Sequence, residues 1–235
     1  MNETMARVRA DFDRIAVVSQ DGWGHNAHYH SFLLEQIPAQ CETALDVGCG
    51  TGAFSRLLAE RANQVVALDL SPRSIEIAKQ RSKAYPNIEF EVADATRWAF
   101  PAETFDCVVS IATLHHLPIE EMLQKMKRTL KAGGTLAILD LYDSGQWQDV
   151  FTGLVAVPVS VWLRLVKTGR LRQPRQLREA WAAHGKTDTY PTMTEVRQIC
   201  SRSLPGAEVK RHLLWRYSVL WRKASQHLAD QMPNL

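Results

Sequence analysis

Cysteine is scarce: Cys41, Cys49, Cys107 and Cys200 form no C-x-x-C pair and share no regular spacing. That argues against a disulfide scaffold and against a cysteine zinc site. Long apolar runs are missing too. The most apolar stretch, VFTGLVAVPVSVWLRLV, is interrupted by Pro158 and Arg164 and falls short of the roughly 20 residues a membrane span requires. The opening run MNETMARVRADFDR mixes acids with bases and has no apolar centre, so no signal peptide is expected and a reduced, cytoplasmic setting is. There is no internal repeat and no low-complexity tract. What is present is ordinary globular material: 235 residues, 46% hydrophobic and 23% charged, enough for a full core and inconsistent with a disordered or coiled-coil chain.

Charge is unevenly placed. Residues 1–150 carry 14 Lys/Arg against 20 Asp/Glu, and residues 151–235 carry 14 against 5. A basic second half suits either an anionic partner or solvated helix faces on an acidic core.

Between residues 43 and 141, short β-like runs alternate with helical patterns, which predicts a parallel sheet with crossover helices. The strands are read at Thr43–Val47, Gln64–Leu68, Ile88–Ala93, Phe105–Ile111 and Thr135–Leu141. Ser71-Pro72 starts one helix, expected to reach about Tyr85, and Pro118 starts another that Gly133-Gly134 should stop. Thr192-x-x-Glu195 forms a capping box before a late helix. The runs Ala207–Leu213 and Arg216–Arg222 are too close for a crossover and must pair antiparallel. Residues 1–40 (two helices) and 143–190 (apolar, then basic) stand outside the alternation.

The most informative stretch is Asp46-Val47-Gly48-Cys49-Gly50-Thr51-Gly52-Ala53, set between a strand and a helix. Glycines there permit positive φ and close ligand approach, while the helix start offers free N–H groups. Gly48-x-Gly50-x-x-Ala53 also satisfies the dinucleotide fingerprint, so a nicotinamide cofactor stays open on the loop alone. Three acids at successive strand ends weigh against it. Asp46 would repel a pyrophosphate but attract an ammonium, Asp69 suits ribose hydroxyls, and Asp94 suits an adenine amino group.

The order ALDVGCGTGAFSRLLA, VVALDLS, VADATRWAFPAETFDCVVSIATLHHL and LKAGGTLAILDL resembles the class I S-adenosylmethionine-dependent methyltransferases over about residues 43–141. The resemblance implies a Rossmann-like α/β fold: a mostly parallel seven-stranded sheet with an antiparallel last strand and helices on both faces. It implies a single domain, with 1–40 as a helical cover, 43–141 as the cofactor-binding core, 143–190 as a helical lid and 191–223 as the last helix and strand pair. It places S-adenosylmethionine against Gly48, Cys49, Gly50 and Gly52, with Asp46 near the ammonium, Asp69 at the ribose, Leu70 and Ala95 flanking the adenine beside Asp94, and Ile111 near the methionine end.

Histidines are the candidate catalytic groups. In Trp23-Gly24-His25-Asn26-Ala27-His28-Tyr29-His30, helical spacing sets His25, His28, Tyr29 and Phe32 on one face and His30, Leu33, Leu34 and Ile37 on another. This segment is expected to close over the cofactor, with Tyr29, His28 or His30 touching cofactor or substrate; the alternative is a half-buried helix with incidental histidines. His115 and His116 follow the fourth strand, at the ligand edge of an open α/β sheet. Neither group offers a full metal-ligand spacing, so no metal is expected. The leading reading is methyl transfer to O, N or C of a small acceptor, aromatic or lipid-like. A nucleic-acid methyltransferase lacks its usual motifs here, and a nicotinamide oxidoreductase or a non-catalytic cofactor-binding protein are the readings of other classes. A membrane surface is a weaker partner expectation for the 143–190 segment.

Overall fold

Seven β-forming runs make one sheet. The computed structural model describes residues 3–19, 22–143, 147–186 and 188–225. Its strands are β1 (Cys41–Val47), β2 (Ala62–Asp69), β3 (Ile88–Val92), β4 (Phe105–Ile111), β5 (Leu130–Leu141), β6 (Glu208–His212) and β7 (Arg216–Arg222), ordered β3-β2-β1-β4-β5-β7-β6. β1 to β5 are parallel, and β7 alone runs against its neighbours β5 and β6. The chain leaves β1 toward β2 and β3 on one side and returns to β4 and β5 on the other. A ligand crevice is expected at that reversal, outside the carboxyl ends of β1 and β4.

The helices are α1 (Glu3–Val18), α2 (His30–Gln36), α3 (Ala53–Ala59), α4 (Pro72–Arg81), α5 (Ile119–Thr129), α6 (Trp147–Thr168), α7 (Arg175–His184) and α8 (Met193–Ser203). Both faces of the sheet are covered, which is why its central strands carry apolar residues on both sides. Leu45, Val108, Leu136 and Ile138 face Met122, Met126 and Val196 of α5 and α8. The alternate residues Ala44, Val109, Ala137 and Leu139 face Leu33, Phe54 and Leu58 of α2 and α3. Each large side chain buried this way contributes about 1.5–3 kcal/mol.

Capping follows the sequence. Ser71 accepts the Ser74 N–H at 2.9 Å, and its own hydroxyl donates to Asp13 of α1 at 2.5 Å, so α1 is tied to the start of α4. Thr192 and Glu195 cap α8 reciprocally. Two boundaries differ from expectation by four residues or more. α4 ends at Arg81, four residues before Tyr85. β5 begins at Leu130, so Gly133-Gly134 lie inside it rather than stopping α5. The register shifts there between Phe105 and Cys107. Gly133 takes φ 77°, and a Cβ on Gly134 would stand 2.9 Å from the Lys131 carbonyl oxygen. The glycine pair therefore absorbs a bulge.

Of the terminal cover and the expected lid, residues 1–2, 20–21, 144–146 and 187 lie outside the described residues. α7 packs on α1, and α1 packs on α4. Among the described residues, no helix is long and apolar enough to cross a membrane.

Candidate active site

A cavity of about 930 Å³ opens at the carboxyl ends of β1, β2 and β4. Its floor is the turn between β1 and α3. Gly48, Gly50 and Gly52 all hold left-handed backbone, at φ 78°, 53° and 77°. Each of the three has a different reason for being glycine. A Cβ on Gly48 would stand 2.0 Å from the Thr113 hydroxyl, so this turn passes directly under the chain leaving β4. A Cβ on Gly52 would press on Phe90 and Ala78; Gly52 is a packing glycine and lies off the cavity wall. A Cβ on Gly50 would meet nothing within 4 Å. It would instead occupy the space of the cavity, where a ligand can approach backbone.

Asp46 ends β1 and is 1% exposed. Its carboxylate accepts the Ser55 hydroxyl at 2.6 Å. Burial outweighs that bond, and with Asp69 nearby the carboxyl is pushed up to about 7. Asp69 ends β2 and accepts backbone N–H groups from Gly50 at 2.8 Å and Ser71 at 2.9 Å. Burial still raises it to about 6. A buried and a half-buried carboxylate, each only partly compensated, on a cavity wall fit a ligand that brings a cation and hydroxyl donors. Cys49, Leu70, Ala95 and Ile111 share that wall.

Asp94 does not. Its Oδ1 accepts the Thr96 N–H at 2.9 Å and the Thr96 hydroxyl at 2.6 Å, closing the turn after β3. Its neighbours Ala93 and Ala95 reach the cavity instead. The N-terminal segment is also divided. His25, Asn26 and His30 line the cavity, whereas His28 is exposed and off the wall. The Tyr29 hydroxyl donates to the Leu213 carbonyl at 2.6 Å, pinning the segment to the turn between β6 and β7. Burial pushes His25 and His30 down to about 4. His25 Nε2 lies 2.8 Å from the Ser160 hydroxyl of α6.

The opposite wall is a cluster of histidines and carboxylates. His115 and His116 sit on the 3-10 turn after β4. Asp140, wholly buried on β5, holds His115 twice, from its backbone N–H at 2.8 Å and at ring Nδ1 at 2.6 Å. Burial, with His115 and His184 alongside, pushes His116 down to about 3. From the 143–190 segment come His184, Asp188 and Tyr190. His184 bridges Asp11 of α1 (3.3 Å) and Asp188 (3.2 Å), and the Tyr190 hydroxyl donates to Asp188 at 3.1 Å. Phe12 packs edge-on against His116 and His184.

Sequence reading did not single out Arg216, Asp140, His184 or Asp188 as site residues. Arg216 reaches the cavity because the turn before β7 is strained: Leu214 and Trp215 both hold positive φ, at 58° and 57°. That backbone ordinarily requires Asn or Gly, and left-handed non-glycine residues cluster at functional sites. Arg216 is buried and donates to Asn26 at 2.8 Å and to the Leu214 carbonyl at 3.0 Å. Burial lowers it to about 10, against the opposing pull of Asp140.

Known proteins resemble this chain. A family profile described as a methyltransferase domain matches residues 44–134. An uncharacterized methyltransferase of Mycobacterium tuberculosis, Rv0089, is 29% identical over 208 residues, which is 85% of this chain and 96% of that protein. A 2-phytyl-1,4-naphtoquinone methyltransferase of Thermosynechococcus vestitus is 35% identical over 147 residues, covering 58% of this chain and 65% of that protein. Among solved structures, the N-methyltransferase NodS of Bradyrhizobium japonicum, in complex with S-adenosyl-L-homocysteine, superposes with a TM-score of 0.62 at 18% identity, over 94% of this chain and 99% of that one. The glycine turn at the sheet reversal, the matched profile and these relatives agree: residues 44–134 match a methyltransferase domain, in a chain with the Rossmann-like fold of the class I methyltransferases.

Proposed function

We propose that the protein transfers a methyl group from S-adenosylmethionine to an O, N or C atom of a small acceptor with aromatic or lipid-like character. One observation carries the reading. A single cavity of about 930 Å³ runs from the glycine turn to the His115–Asp140 wall, so cofactor and acceptor share one enclosure. The quinone-type relatives favour an aromatic, apolar acceptor, and Phe12, Trp181 and Trp215 on the walls suit one.

The geometry of the glycine turn and its surroundings fits the cofactor. Gly50 leaves room for close approach, Asp46 offers a buried carboxylate to an ammonium, Asp69 offers acceptors to ribose hydroxyls, and Leu70 with Ala95 forms an apolar slot. When bound, S-adenosylmethionine supplies an electrophilic methyl on its sulfonium. The protein's task is then alignment and exclusion of water, which together supply much of the acceleration in such displacements. α1, the segment 25–30 and α7 form the cover over the acceptor side, and the whole chain acts as one domain around the crevice. His115, His116 and Asp188 border the acceptor side, while His25 and His30 flank the cofactor side.

The test is transfer of an isotope-labelled methyl from S-adenosylmethionine to a panel of quinols, phenols and amines, with a structured RNA as comparison. Labelling of a quinol or phenol is expected. Labelling of RNA alone would replace the acceptor class, and binding of NAD(P) without S-adenosylmethionine would replace the cofactor.

A further inference from the structure

The geometry points to a site for one divalent transition-metal ion held by His115, His116 and Asp188. One ligand atom from each lies within 4.8 Å of the others, although Asp188 is far from the histidines in sequence. All three side chains are enclosed, at 4%, 8% and 6% exposed. They also line the acceptor side of the cavity.

The atoms not needed for a metal are already committed. Asp140 holds His115 Nδ1 at 2.6 Å and turns Nε2 away from itself, the carboxylate–histidine pairing that orients imidazole ligands. Asp188 Oδ2 takes the Tyr190 hydroxyl and His184 Nε2, and Asp188 Oδ1 is left 3.8 Å from His116 Nδ1. His184 is in turn steadied by Asp11. Independently, His116 Nε2 is buried and has no hydrogen-bond partner. Buried imidazole nitrogens are ordinarily satisfied, and one left over on a ring that belongs to a His–His–Asp cluster points to a ligand.

Two imidazoles and one carboxylate select zinc, iron(II), cobalt(II) or manganese(II) over magnesium and calcium, which favour oxygen donors. Metal–nitrogen and metal–oxygen bonds near 2 Å bring ligand atoms to within about 4 Å of one another, so the three side chains close slightly on loading. Three protein ligands leave open positions, and these face the cavity. Resting on the methyltransferase reading, an acceptor hydroxyl or carbonyl oxygen would occupy one of them and be polarised there.

The experiment uses the full chain without an affinity tag, stripped by a chelator and titrated with Zn²⁺ by calorimetry and with Co²⁺ by visible absorption. One equivalent of each is expected, with cobalt bands of a nitrogen–oxygen site. Asp188→Asn and His116→Gln should each weaken binding at least tenfold, and Asp140→Asn by about 10–100-fold through the orientation of His115. Circular dichroism and melting of each variant report folding. If a variant fails to fold, the wild-type cobalt spectrum decides, and its absence overturns the site. Stoichiometric binding that survives both ligand substitutions overturns it equally. S-adenosylhomocysteine binding on the same sample separates the readings: if it persists without metal binding, only the metal site falls. Metal binding without it removes only the cofactor reading.

Discussion

Replacing Asp46 by Asn should stabilise the empty protein while weakening its hold on cofactor. Asp46 is 1% exposed and burial raises it from an ordinary 3.8 to about 7. A raised carboxylate pKa means that folding is penalised once the group must ionise. The cost is absent below the unfolded value near 4, grows as pH rises, and is complete above about 7. About 3 pH units at 1.36 kcal/mol each set an upper limit of about 4 kcal/mol. Asn keeps an oxygen for the Ser55 hydroxyl, which now donates at 2.6 Å, but it buries an amide N–H₂ that costs about 1–3 kcal/mol if unpaired. The net gain at pH 8 is therefore about 1–3 kcal/mol, or roughly 2–10 °C in melting temperature for a chain of this size. Differential scanning calorimetry at pH 8 and pH 4 measures it. The gain should shrink toward pH 4 and reverse in sign, since only the amide cost remains. S-adenosylhomocysteine affinity should fall at least tenfold in the same variant, the loss of one charge-assisted hydrogen bond. A variant equally destabilised at both pH values would refute the burial argument.

Three further outcomes are expected. S-adenosylhomocysteine binding should tighten between pH 5 and pH 7, because Asp69 and Asp46 are raised to about 6 and 7 in the empty site and binding favours their ionised forms; proton release seen by calorimetry in buffers of different ionisation enthalpy checks the sign. Gly48→Ala should lose much of its folding stability, since its Cβ would collide with Thr113 at 2.0 Å, whereas Gly50→Ala should lose cofactor affinity with a stability cost of only about 1–2 kcal/mol for its positive φ; paired melts and titrations distinguish them. Asp94→Ala should cost about 0.5–2 kcal/mol of stability through the lost turn cap at Thr96, yet change S-adenosylhomocysteine affinity less than threefold.

The parallel core was legible because its strands are short apolar runs separated by helix-start and glycine signals. The turn after β1 was legible because positive φ at three nearby positions demands glycine. Asp94 shows where local chemistry intervened. A carboxylate two residues before a threonine can close its own turn, and that competes with any ligand role. β5 was read too short because Gly133-Gly134 look like a helix stop, while in the sheet they accommodate a register shift against β4. The acceptor wall was only half visible. His115 and His116 stand beside a strand end, but Asp140, His184, Asp188 and Arg216 arrive from β5, α7 and its following segment, and β7. No periodicity links residues so far apart in sequence. Leu214 and Trp215 gave no turn signal either, since neither favours the left-handed backbone that carries Arg216 into the cavity.

The most direct test of the central claim is calorimetric titration of the purified chain with S-adenosylhomocysteine, beside Asp69→Ala and beside NAD(P). One site per chain is predicted, with affinity reduced by about 1–3 kcal/mol in Asp69→Ala because ribose hydroxyls and the Gly50 and Ser71 N–H groups lose their acceptor. No heat with S-adenosylhomocysteine, or saturable binding of NAD(P) in its place, would contradict the account.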